Sequence, residues 1–103
     1  MSKKLNGALE HTSFMLVKGH NLKDFIKTNR DIDVWLKQQP GFRSRHIFQD
    51  EDGRVYDLVY WDSVNQGRSA SQRLMKNFAE SPVHSMINHK TVGWHICAVA
   101  HSV

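Results

Sequence analysis

Two eight-residue runs, Phe42 to Gln49 (FRSRHIFQ) and Arg54 to Trp61 (RVYDLVYW), flank the acidic, glycine-ending stretch Asp50-Glu51-Asp52-Gly53. Aromatic and β-branched side chains in alternation on both sides of a turn-forming tetrapeptide predict an antiparallel hairpin. The other elements have to be fitted around this pair.

Upstream, Thr12 to Lys18 (TSFMLVK) is a β-prone run ending at Gly19, and it predicts a first strand. Asn21 is placed to cap a helix, with Asp24 near its positive end, and Leu22, Phe25, Ile26, Ile32, Trp35 and Leu36 recur near helical spacing. The helix has to stop before Pro40, because the residue preceding a proline is pushed out of helical space. Downstream, Ser63 and Gln66 form a capping-box pattern, after which Val64, Gly67, Ser71, Leu74, Met75 and Phe78 share one helical face. Ser81-Pro82 opens a third, short helix through about Asn88. Thr91 to His101 closes the chain as a fourth strand. The order βαββαβ, with a helical insertion before the last strand, predicts an α+β ferredoxin-like fold with a four-stranded antiparallel sheet and both main helices on one face.

A chain of 103 residues accommodates one domain and one core. Residues 1–11 read as a flexible N-terminus ahead of a domain over 12–103. Cys97 is the single cysteine and has no internal disulfide partner, which fits a reducing compartment. No stretch approaches the roughly 20 apolar residues of a membrane helix, and no apolar leader follows the N-terminal lysines; a soluble, cytoplasmic protein is expected. The formal charge of +4 is dispersed over Lys3, Lys4, Lys23, Lys27, Arg43, Arg45, Arg54, Arg68 and Lys90, which argues against nucleic acid as a partner.

With a two- or four-residue hairpin loop, one face carries Phe42, Ser44, His46, Phe48, Val55, Asp57, Val59 and Trp61. The other carries Arg43, Arg45, Ile47, Gln49, Arg54, Tyr56, Leu58 and Tyr60. An open sheet normally turns polar residues to its free side, yet the second set offers Tyr56, Leu58 and Tyr60 bounded by arginines, the composition of a protein interface. Self-association into a homodimer through this face is therefore expected. On the first face, His46 and Asp57 interrupt an apolar run. Asn29 interrupts the stripe of the first helix, and Gly67 and Ser71 leave the middle of the second helix small. These residues outline a pocket lined also by Phe42, Ser44, Phe48, Val59 and Trp61, suited to a small hydrophobic molecule.

The segments Gln39-Pro40-Gly41-Phe42, the acidic-glycine hairpin and Asp57-Leu58-Val59-Tyr60-Trp61-Asp62-Ser63 resemble the antibiotic biosynthesis monooxygenase domain family over about residues 14–99. That resemblance implies a dimeric α/β barrel with a pocket between sheet and helices in each subunit. It also implies a cofactor-independent monooxygenase acting on a small hydrophobic or aromatic metabolite. Heme-degrading members carry an asparagine in the first strand and a tryptophan and a histidine in the second helix; here the first strand has Ser13, Phe14, Met15, Leu16 and Val17, and the second helix has neither residue, which disfavours heme degradation.

For a catalytic pocket, Asp57 or His46 would be the general base on a phenol or activated carbon, with Asn29 and Trp61 donating hydrogen bonds to the anion or peroxide. The competing reading is that His46, Asp57 and Asn29 satisfy one another inside the core. Functionally it corresponds to a non-catalytic ligand-binding or stress-associated dimer, or to a structural module. No metal site is expected, since His84 and His89 fall on different sides of a helix and His95 and His101 are too far apart to chelate. Trp35 and Trp94 read as core or interface aromatics.

Overall fold

A computed structural model describes residues 6–103. Lys3 and Lys4 lie outside the described residues. The elements run β1 (Ala8–Leu16), α1 (Leu22–Thr28), α2 (Arg30–Lys37), β2 (Phe42–Gln49), β3 (Arg54–Trp61), α3 (Val64–Asn77), α4 (Val83–Met86) and β4 (Ile87–Ala98). The four strands form one antiparallel sheet in the order β2-β3-β1-β4, the split arrangement expected of βαββαβ.

Period-two alternation sets the sheet's two faces. Ala8, Phe14, Val55, Val59, Trp61 and Ile96 turn inward and pack with Phe25, Ile32, Leu36, Ala70, Val83 and Met86 from the helices in one core. Ser63 caps α3 as expected, its hydroxyl accepting from the Gln66 amide at 3.2 Å. The single helix predicted between Asn21 and Pro40 is instead two segments. The side-chain amide of Asn29 donates to the Phe25 carbonyl at 2.8 Å, and the backbone there leaves helical geometry (φ −89°, ψ 4°). An asparagine that competes for a backbone carbonyl is a known way to interrupt a helix.

Three boundaries differ from the sequence reading. β1 begins at Ala8, within the stretch expected to be a flexible N-terminus, because Ala8 and Glu10 pair with Trp61 and Val59 on one side and with Ala98 and Ile96 on the other. β4 starts at Ile87, not Thr91, and ends at Ala98. Between the pairs Met15↔Asn88 and Ser13↔Gly93, β4 carries an excursion over residues 89–92. There the Thr91 hydroxyl takes the place of a ladder carbonyl, accepting from the Met15 amide at 2.8 Å.

The third difference is the hairpin. Asp50 N–H donates to Arg54 O at 3.0 Å and Gly53 N–H to Asp50 O at 3.1 Å, with Gly53 at φ 90°. This is a three-residue loop closed by a glycine bulge, and the positive φ is the reason for glycine at position 53. An odd loop turns β2 over relative to the even loops assumed from sequence: Arg45, Ile47 and Gln49 stand opposite Val59, Asp57 and Val55, whereas His46 and Phe48 stand opposite Leu58 and Tyr56. A register shift between Phe42 and Ser44 returns Phe42 to the core side, against Trp61. All inward assignments made for β3 hold; those for Ser44, His46 and Phe48 are reversed.

Candidate functional site

A cavity of about 410 Å3 lies between the sheet and the helices, within the size range of small-molecule sites. Its walls are apolar and come from Phe14, Phe25, Ile32, Leu36, Leu74 and Val83, with further apolar side chains around them. Met75, Val92 and Trp94 line it while remaining exposed, so they border its opening.

Glu10 is the polar centre of this space. It follows Ala8 and precedes Thr12 and Phe14 in the inward series of β1, so strand alternation carries a carboxyl into the core, where its residue is 9% exposed. Two indoles hold it: Trp61 Nε1 donates to Oε1 at 2.9 Å and Trp94 Nε1 to Oε2 at 2.7 Å. Burial pushes the Glu10 carboxyl above its ordinary pKa, and the hydrogen bonds from Trp94 and Trp61 offset that only in part. A carboxyl raised in this way and placed on an apolar wall is suited to take up a proton from a bound molecule and release it.

Beside it is a second polar group built on Arg45. Its Nε and Nη2 donate to the two oxygens of Asp57 at 3.0 and 2.7 Å, Nη1 donates to Asp33 at 2.8 Å, and Nη2 also reaches Asn29 Oδ1 at 2.9 Å. Burial works against the charge on Arg45, but the bonds and charges of Asp57 and Asp33 outweigh it and the pKa is raised. Asp57 is thereby held with both oxygens engaged by one guanidinium.

Asn29, Asp57, Trp61, Val59 and Ser71 line the cavity, as the sequence suggested. His46 does not. It is exposed on the opposite face beside Leu58, and Arg45 occupies the place against Asp57 that was assigned to it. Ser44 and Phe48 are likewise on the outer face, where Phe48 stacks on Tyr56 at 5.3 Å. Phe42 packs edge-on against Trp61, behind the cavity wall.

Gly67 also belongs to packing. A Cβ there would stand 2.7 Å from Trp61 Cδ1 and 2.9 Å from Cγ, and would press on Ile96 Cδ1. The missing side chain lets α3 approach the sheet over the indole that holds Glu10. Gly67→Ala is expected to cost about 1–3 kcal/mol through overpacking, read as a lower urea midpoint; an unchanged midpoint would mean that Trp61 has room to move aside.

Sequence reasoning missed Glu10, Trp94, Arg45 and the two histidines of the rim. His84 and His89 were expected on different sides of one helix, but β4 starts at Ile87, so His89 is a strand residue and both imidazoles line the cavity with centroids 6.3 Å apart. Among the described residues, no group of three His, Cys, Asp or Glu side chains is gathered to hold a metal. No described helix is long and apolar enough to cross a membrane.

No family model matches the chain, and no curated protein matches it. Solved structures do. SnoaB, a cofactor-independent oxygenase from Streptomyces nogalater, superposes with a TM-score of 0.72 at 13% identity, over 95% of this chain and 97% of the other. A dimeric ferredoxin-like protein from an uncultured marine organism gives 0.74 at 12% identity, over 99% and 95%. The heme-degrader MhuD from Mycobacterium tuberculosis, solved with two hemes in its active site, gives 0.74 at 12% identity, over 93% and 98%. The chain therefore shares the ferredoxin-like α+β fold of these structures.

Proposed function

We propose that this protein is a homodimeric, cofactor-independent monooxygenase acting on a small hydrophobic, aromatic metabolite. The observation that carries the reading is Glu10, a buried carboxyl of raised pKa held by two indole N–H groups on the wall of an apolar cavity. The likeness in fold to SnoaB supports it.

In this reading Glu10 takes the proton from a phenolic hydroxyl, and the electron-rich anion gives electrons to dioxygen. The new C–O bond forms at a ring carbon bearing hydrogen. One oxygen atom stays there as a carbonyl, and the other leaves as water with the ring hydrogen and the phenolic proton, so phenol plus O2 yields quinone plus water. The substrate supplies all four electrons. Trp61 and Trp94 fix the carboxyl before reaction by donating to both of its oxygens. Asn29, bonded to Arg45 and Phe25, positions the guanidinium group behind them. Oxygen uptake on adding mono- and dihydroxynaphthalenes, with quinone absorbance appearing in step, tests the reading. A protein that binds these compounds and consumes no oxygen would be a binding protein instead.

The dimer would form through the outer face. Tyr56, Leu58 and Tyr60 lie there as anticipated, joined by Phe48, which is 47% exposed. Such an aromatic patch on a sheet free of covering helices is a natural interface, and one solved structure of the same fold is described as dimeric. Leu58→Glu puts a charge in its middle and is expected to halve the mass seen by light scattering. A wild-type protein that is already monomeric at micromolar concentration would refute the pairing.

A further inference from the structure

The nitrogen-bearing side chains of the cavity are already engaged as donors. Both indoles donate to Glu10, Asn29 donates to the Phe25 carbonyl, and Arg45 donates to Asp57, Asp33 and Asn29. His84 Nε2 lies 2.8 Å from the Phe78 carbonyl, and His89 Nε2 lies 2.8 Å from the His84 carbonyl. A carbonyl oxygen can only accept, so in the neutral rings Nε2 carries the hydrogen and Nδ1 the lone pair. What remains for a ligand on the nitrogen and carboxyl groups is acceptor capacity, the second lone pairs of Glu10 and Nδ1 of two imidazoles, beside the Thr12 and Ser71 hydroxyls, which can donate or accept.

Charge points the same way. Among the described residues lining the cavity, the one permanent cation is Arg45, and it faces two carboxylates, Asp57 and Asp33. No described lysine lines the space, so an anionic ligand would be desolvated there without a free counter-charge from these residues, a severe cost in an apolar site. Asn88 stands opposite Met15, five residues along β1 from Glu10. That level lies on the order of 15 Å along the strand from Glu10, and His89 follows Asn88 in β4.

We infer that the cavity selects an uncharged, elongated ligand that donates a hydrogen bond at each end, to Glu10 at one and to His84 or His89 at the other, and that it rejects carboxylates and other anions. This rests on the proposed use of the cavity for a small aromatic molecule. It adds that the quinone end of such a reaction, having lost its donors, fits the same groups worse than the phenol does.

Calorimetric titration with 2,6-dihydroxynaphthalene, its dimethyl ether and the matching 2,6-dicarboxylate at neutral pH tests the inference. The diol is expected to bind at least tenfold more tightly than either relative. His89→Leu, at an exposed position, should shrink the diol's advantage over the ether. Asp33→Asn, at a half-buried position of α2, leaves Arg45 less compensated and should raise dicarboxylate affinity about tenfold. Equal binding of diol and dicarboxylate, equal binding of diol and ether, or no binding of the diol would each overturn the inference, as would variants that leave these ratios unmoved. Oxygen consumption does not enter these readouts, so selective binding without turnover would remove the oxygenase reading and leave this one standing.

Discussion

Arg45→Leu is expected to lower stability by about 3 kcal/mol, the range found when one partner of a buried ion pair is deleted, and to drop the thermal midpoint by roughly 12–24 °C for a domain of this size. The guanidinium side chain is 10% exposed and that of Asp57 15%, so the deletion leaves a largely buried carboxylate without its donor. Asn29, 1% exposed, loses the partner of its carbonyl oxygen in the same stroke. The double variant Arg45→Leu with Asp57→Leu should recover most of the loss, because the penalty lies in the orphaned charge more than in the vanished attraction. Urea unfolding of both proteins decides the matter. A single variant within 1 kcal/mol of wild type would show that water reaches Asp57 freely.

Glu10→Gln is expected to reduce turnover by about 10²–10⁴-fold, the usual contribution of a positioned acid or base, while leaving a folded protein. It should also change how stability depends on pH. In the native state burial makes Glu10 hold its proton more tightly than the unfolded chain does. Between the unfolded and the raised native pKa the native state therefore binds more protons, and stability falls as pH rises through that window. The contribution is complete below the unfolded value and is lost above the native one. The glutamine variant has no proton to lose and should lack this slope. Denaturant midpoints collected from pH 4 upward, for both proteins, reveal it as a difference curve; parallel curves would mean that Glu10 is solvated in the native state, and the base role would go with it.

Much of the architecture is legible in the residues because it rests on local signals: turn-forming Asp50 to Gly53, the Ser63 cap, the Pro40 stop, and clean alternation in Arg54 to Trp61. The site is less so, and the reasons are physical. Whether a hairpin loop holds an even or an odd number of residues decides which side of β2 faces the core. The sequence DEDG allows either, so His46 and Arg45 exchange places. Glu10 escaped notice because residues 1–11 read as a flexible N-terminus, with the first strand starting only at Thr12. Pairing with two neighbouring strands makes that end central, and only Ala8, Thr12 and Phe14 at even spacing from Glu10 hinted at it. Trp94 belongs with it: an indole that reads as core filler becomes a donor once a carboxylate is known to be opposite.

Arg54 gives the sheet a connection across three of its strands. The guanidinium meets the Ser13 hydroxyl at 3.2 and 3.1 Å and the Thr91 carbonyl at 2.7 Å, and Thr91 sits in the same excursion of β4 as His89 and Val92. Arg54 of β3 thereby ties β1 to the stretch of β4 that contributes His89 and Val92 to the cavity wall. A single side chain spans three neighbouring strands and fastens the irregular part of the ladder between β1 and β4 to its regular part.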